Sequence, residues 1–173
     1  MNETAQLTIR QAHPTDLEPL VELYEQLATE TAFLTDDQVN KSKTKRTYQM
    51  TQQIDQYSRS LTSIMLVVEL QEEIIALGTL ATLPGSRQSH VAEVGIGVLK
   101  DYWANGIASI LLEELLYFAK ETALKVITLE VVQENKRAIA LYKKFGFKIV
   151  GSLSQRLQAD QIYYDTYMME YLL

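Results

Sequence analysis

Asn135-Lys136-Arg137-Ala138-Ile139-Ala140-Leu141-Tyr142-Lys143-Lys144-Phe145-Gly146-Phe147 carries a helix with a marked start, a marked stop and one apolar side. Asn135 is a helix-capping residue type, able to accept from an amide of the first turn. Tyr142 falls three and four residues after Ile139 and Ala138, so the three share a face. An aromatic there reads first as core packing. Gly146 ends the helix as a left-handed cap. Just upstream, residues 125–132 are rich in β-branched side chains and predict a buried strand. Downstream, residues 147–153 and 162–171 predict two closing strands.

Moving toward the N-terminus, the same strand-then-helix grammar recurs. Residues 91–99 form an apolar run containing Gly95 and Gly97, and Val98-Leu99-Lys100-Asp101-Tyr102-Trp103-Ala104-Asn105-Gly106-Ile107-Ala108 then turns into a helix over residues 106–121. That helix is apolar at Ile107, Ile110, Leu111, Leu115 and Phe118. A helix N-terminus presents unpaired N–H groups and a partial positive charge, which together suit a phosphate. Small residues at Gly106 and Ala108 would let a pyrophosphate approach the backbone. The plainer alternative is that Gly106 only relieves a tight turn.

The remaining elements follow from periodicity. Residues 63–70 and 74–83 are strand-like runs joined at Gln71-Glu72-Glu73, a hairpin, and Pro84-Gly85-Ser86 breaks the chain after them. Leu7-Thr8-Ile9-Arg10 alternates as a short first strand, and Pro14-Thr15-Asp16 breaks and caps. Leu17, Leu20, Val21, Tyr24, Leu27 and Ala28 then recur at helical spacing. Residues 31–60 turn polar, and the cluster Lys41, Lys43, Lys45 and Arg46 reads as a solvated helix face or a mobile loop. The order β-α-(α)-β-β-β-α-β-α-β-β predicts an α/β chain (α+β mixed) with helices packed on a mixed sheet.

Composition narrows the function classes. The chain has 173 residues, 47% hydrophobic and 22% charged, which suits one globular domain spanning 1–173. Cysteine is absent and His13 and His90 are the only histidines, which argues against disulfides, a cysteine nucleophile and a histidine-based metal cluster. No apolar run approaches the ~20 residues of a membrane helix. Met1-Asn2-Glu3-Thr4-Ala5-Gln6 lacks the basic start and apolar run of a secretory signal, so a cytoplasmic location is expected. A net charge of −6 argues against a nucleic-acid partner and is compatible with cationic substrates.

Taken together, the two strand–helix segments resemble the GNAT N-acetyltransferase superfamily. The first is similar to its acetyl-CoA pyrophosphate loop, Arg/Gln-x-x-Gly-x-Gly/Ala, and the second to its Asn-x-x-Ala-x-x-Leu-Tyr-x-x-x-Gly-Phe element. Ile9-Arg10-Gln11-Ala12 with Asp16 and Leu20, and Tyr164-Asp165 with Met168, resemble its first and last strands. One departure stands out: the Arg/Gln position is Trp103. The resemblance implies a mostly antiparallel sheet of about six to seven strands flanked by helices. It implies acetyl-CoA as cosubstrate, held by Val98, Leu99, Lys100, Ala104, Asn105, Gly106, Ile107, Ala108, Ser109, Asn135 and Tyr142.

It also implies a reaction. An amine of pKa ~10 is mostly protonated at neutral pH and must lose a proton before attacking the thioester. Glu93, among Val91, Ala92, Val94 and Ile96, would have its pKa raised if buried, which suits a base; otherwise it is an ordinary exposed strand residue. His90, Tyr163 and Tyr164 are weaker alternatives. A backbone N–H near Val98 or Leu99 is what the family would supply to the oxyanion. Tyr142 matches the family's tyrosine that protonates the departing thiolate. With no cysteine, direct transfer in a ternary complex is expected. The expected acceptor is the primary amine of a small molecule. A protein N-terminus or lysine, and a catalytically silent acyl-CoA-binding module, are the alternatives. The presence of both Glu93 and Tyr142 favours an enzyme. A homodimer is expected by analogy alone.

Overall fold

The computed structural model describes residues 7–34 and 41–173. Met1 to Gln6, read above for a leader, lie outside the described residues, as do residues 35–40 of the polar segment. The strands are β1 (Leu7–Gln11), β2 (Ile64–Leu70), β3 (Glu73–Thr82), β4 (Val91–Val98), β5 (Val126–Val132), β6 (Lys148–Ala159) and β7 (Ile162–Leu172). The α-helices are α1 (Leu17–Glu30), α2 (Lys43–Arg59), α3 (Ile107–Lys120) and α4 (Lys136–Lys144). The strands form one sheet in the order β1-β2-β3-β4-β5-β7-β6, and every neighbouring pair is antiparallel except β4–β5.

Each helix lies where its apolar stripe finds a sheet face. Leu20, Val21, Leu23 and Leu27 of α1, with Met50 and Ile54 of α2, pack on Met65, Val67 and Leu77. On the opposite face Leu111, Leu112 and Leu115 of α3 and Ile139 of α4 meet Val68, Leu80, Ile127 and Leu129. Strands β2 and β3 are therefore buried on both sides, which is why they read as near-continuous apolar runs, whereas β5 buries Ile127, Leu129 and Val131 on the α3 side and leaves Thr128 and Glu130 half-buried. The Gln71–Glu72 turn has positive φ at both residues (52° and 68°), the mirror-image geometry that matches strand twist in tight hairpins.

In residues 31–60 the polar composition hides a full helix. Lys43 and Lys45 are solvated on α2, whereas Arg46 reaches Glu25 of α1 at 2.7 Å. The other correction concerns β6, which continues past residue 153 to Ala159 and turns through Asp160 and Gln161, both at positive φ. Most of β6 is exposed, so no buried face imposes the alternation that would reveal it. Among the described residues no helix is long and apolar enough to cross a membrane.

The feature that makes a site is a split in the sheet. Strands β4 and β5 pair in parallel only at Val91–Val126, Ala92–Ile127 and Glu93–Thr128. Beyond these β5 runs on with β7 to Val132–Thr166, while β4 stays with β3 to Val98–Ala76, so the two diverge. Along the gap the two strands do not bond to each other.

Candidate active site

Both chemistry-bearing helices begin at the mouth of this split. Gly106, the residue before α3, sits at φ 80°, and a Cβ built there would meet no atom within 4 Å. The left-handed backbone and the open space belong together: the chain needs glycine to enter the helix, and the lost side chain leaves the first-turn amides bare. On the other side, the Asn135 carbonyl accepts from the Ala138 amide at 3.2 Å and starts α4. Its capping role is thus real, and it is met by the side-chain oxygen alone.

Between them lies a cavity of about 650 Å³ whose walls include Val98, Lys100, Ala104, Gly106, Ile107, Ala108, Ser109, Asn135 and Tyr142. Lys136 and Arg137 add positive charge to the same wall. Two expected residues stand apart from it. Asn105 is exposed outside the lining, and Leu99 is buried in the α1-side core with its amide donated to Ile75 O at 3.1 Å. Because hydrogen bonds alternate along an antiparallel pair, the Leu99–Ile75 bond turns the Val98 N–H and C=O the other way, into the split. Of the two amides considered for an oxyanion, Val98 is the one left to donate.

A second cavity of about 460 Å³ joins the first, sharing Gly97, Asn135, Ala138 and Tyr142 as walls. A Cβ at Gly97 would lie 2.7 Å from Leu27 Cδ1 of α1, so a larger residue there would have to displace that buried leucine. Glu93 and Glu130 are the charged residues of this chamber among those described, and Tyr24, Phe33 and Tyr57 give it aromatic walls. Glu93 is exposed to the cleft, yet partial desolvation by the cleft walls, and then the neighbouring Glu130 charge, raise its pKa above the usual carboxylate value. Glu130 is anchored by Thr166 Oγ1 at 2.8 Å and Arg156 Nε at 3.2 Å.

Among the described residues, Tyr142 is the one titratable side chain common to both chambers. Burial pushes its pKa up to about 12, so its hydroxyl stays protonated across the working pH range. Its ring is held edge-on against Phe147 at 5.6 Å, which shows that core packing and access to the site coexist in one residue. The weaker candidates are elsewhere: His90 and Tyr163 are exposed, and neither they nor Tyr164 line either chamber.

Three contacts were missed at the level of sequence. Glu130 is a lone carboxylate in the apolar strand Val126–Val132, the same signal that singled out Glu93. The Glu30 carboxylate accepts from the Lys100 amide at 2.7 Å, which ties α1 to the loop. The Trp103 indole donates to Val98 O at 2.7 Å while the Arg137 guanidinium lies 4.7 Å from the indole centroid. The last two have no local sequence signal.

Comparison with known proteins converges on one family. The model of the acetyltransferase (GNAT) family matches residues 20–147. An L-amino acid N-acetyltransferase of Escherichia coli is 33% identical over 106 residues, covering 60% of this chain. The match spans 65% of that relative's own length, just under two thirds. An acetyltransferase of the GNAT family from Streptococcus pneumoniae superposes with a TM-score of 0.87 at 28% identity, covering 97% of this chain and 100% of that one. A Salmonella typhimurium protein solved with its cofactor acetyl-CoA gives a TM-score of 0.83 at 19% identity, with 98% and 95% covered, a likeness of fold.

Proposed function

The chain belongs to the acetyltransferase (GNAT) family, and from that premise we propose that it moves an acetyl group from acetyl-CoA to the primary amine of a small molecule, within one domain of residues 1–173. The observation that carries this reading is the pair of joined chambers with Tyr142 at their junction. The larger has the helix N-terminus and the cations that suit the phosphates of acetyl-CoA, and the smaller has room for an acceptor. The relative that acetylates L-amino acids favours a small acceptor over a protein.

The roles follow from placement. Bare amides at Ile107, Ala108 and Ser109 hold the pyrophosphate, with Lys136 and Arg137 beside them. The Val98 amide, facing the split, donates to the thioester oxygen as it gains charge. Glu93 takes a proton from the acceptor ammonium, directly or through water. The neutral amine attacks the thioester carbon, the C–S bond breaks, and the Tyr142 hydroxyl donates to the leaving sulfur. Both substrates occupy the site together, so no acetyl-enzyme forms.

Two outcomes test the reading. Acetyl-CoA should raise the melting temperature, since a ligand that binds only the folded state stabilises it by mass action. Gly106→Val should remove most of that shift, because its side chain enters the space left open before α3. Valine also resists φ near 80°, so Gly106→Asn, which tolerates such backbone, serves as the better-folded blocker. A folded variant with wild-type affinity would overturn the assignment. The acceptor chamber, with Glu93 and Glu130 as its described charges, favours a cationic amine. Accordingly kcat/KM should fall as salt screens that attraction. A flat salt profile, or preference for acidic acceptors, would defeat it.

A further inference from the structure

We propose that Trp103 is a positioning residue for acyl transfer: its indole N–H holds the Val98 carbonyl, and its ring holds α4 across the split through Arg137. This deepens the acetyltransferase reading and rests on it. Trp103 occupies the position at which the sequence departs from the family's Arg/Gln pattern, so its part is particular to this chain.

The geometry has three parts. First, Val98 N–H and C=O face the same way along β4, into the gap, because Leu99 is the residue bonded to β3. A bare carbonyl beside the oxyanion donor would repel the developing charge. Donation from Trp103 Nε1 at 2.7 Å occupies that carbonyl, which belongs to the Val98–Leu99 peptide, and leaves the Val98 amide, in the preceding peptide, as the group turned toward substrate. Second, β4 and β5 share no ladder bonds beyond Glu93–Thr128, so the sheet itself does not set the width of the gap there. The Arg137 guanidinium over the indole, 4.7 Å from its centroid, links the β4 end to α4 across that width. Tyr142 stands on the same α4, so the link sets the spacing between the Val98 amide and the Tyr142 hydroxyl. Third, the loop does not need the indole to close. Trp103 N–H bonds Lys100 O at 3.1 Å, Tyr102 N–H bonds Leu99 O at 3.0 Å, and Glu30 holds the Lys100 amide. The indole N–H is therefore spent on Val98 rather than on the loop's own fold.

Trp103 is the chain's single tryptophan, so its fluorescence reports on this contact directly. The experiment compares wild type, Trp103→Phe and Arg137→Met by thiol release from acetyl-CoA with a panel of primary amines, alongside thermal melts. Trp103→Phe keeps a ring beneath Arg137 and loses the N–H. Displacing a transition-state donor slightly should lower kcat about tenfold or more while KM for acetyl-CoA moves less than about threefold. Arg137→Met spares the Val98 bond, so it should change the tryptophan emission and lower kcat by less. A purely packing tryptophan would instead give a lower melting temperature with kcat unchanged in both variants. An indole that binds acetyl-CoA itself would raise KM in Trp103→Phe with kcat unchanged. Either result overturns the proposal and leaves the acetyltransferase reading intact. Wild-type protein that releases no thiol with any amine, whether or not acetyl-CoA alters its fluorescence, overturns both.

Discussion

Tyr142→Phe should lower kcat and kcat/KM together by about 10²–10⁴-fold, the usual worth of a positioned general acid, while acetyl-CoA affinity stays near wild type. The change removes one oxygen and keeps the ring that packs on Phe147, so melting temperature should hardly move. The argument starts from burial. With a pKa pushed up to about 12, the phenol carries its proton at every pH the reaction would use, and it carries it at the wall shared by both chambers. Such a group is a poor acid toward a thiolate in water, whose thiol has a pKa of ~8.5. In the cleft, however, desolvation penalises the thiolate as it penalises the phenolate, so burial raises both and does not widen the gap between them. The hydroxyl interacts with sulfur only as charge develops there, so its loss appears in the rate and not in ground-state binding. A Tyr142→Phe rate within a few-fold of wild type would return the residue to the core role that its helical spacing first suggests.

How much of this was legible in the sequence depends on where each signal resides. Helices α3 and α4 are readable because their boundaries are written locally, in Gly106, Asn135 and the left-handed Gly146 at φ 98°. Strands β2 and β3 declare themselves through near-continuous apolar runs, which two-sided burial requires, and β5 through its β-branched residues. The far half of β6 does not, since a strand exposed on both faces has no pattern to keep. Site geometry divides the same way. Residues whose backbone sits at a helix start were placed by the strand–turn–helix grammar. The choice of Val98 over Leu99 was not, because it hangs on which parity of β4 bonds to β3, a register that no local residue encodes. Trp103 likewise shows as a departure from the family pattern, but its partners, Val98 and Arg137, lie on two other elements and meet it only in the fold.

Glu93→Gln should lower kcat/KM about 100-fold at neutral pH, the scale of a lost general base, with the deficit shrinking as pH rises. Glu93 works in its ionised form, so wild-type activity falls as pH drops through its raised pKa. Glutamine accepts no proton, and the variant must rely on acceptor that is already deprotonated. That fraction grows tenfold per pH unit up to an amine pKa of ~10, so the rising limb moves to higher pH. Stability should move the opposite way. The fold favours protonated Glu93, through partial desolvation and then the Glu130 charge, so this carboxyl stabilises the fold below its unfolded pKa and loses that contribution as pH rises through its folded one. At neutral pH the ionised group is a burden that glutamine lacks, and the variant should melt slightly higher than wild type, the difference fading as pH falls below the ordinary glutamate value. A gain in stability coupled to a loss in rate is what a carboxylate held for chemistry predicts. An ordinary exposed strand residue would change neither. Should the variant keep both the wild-type rate and the wild-type pH profile, Glu93 is excluded as the base. The proton would then pass to Glu130, the other carboxylate of the chamber among the described residues, or be absent from an amine that arrives neutral.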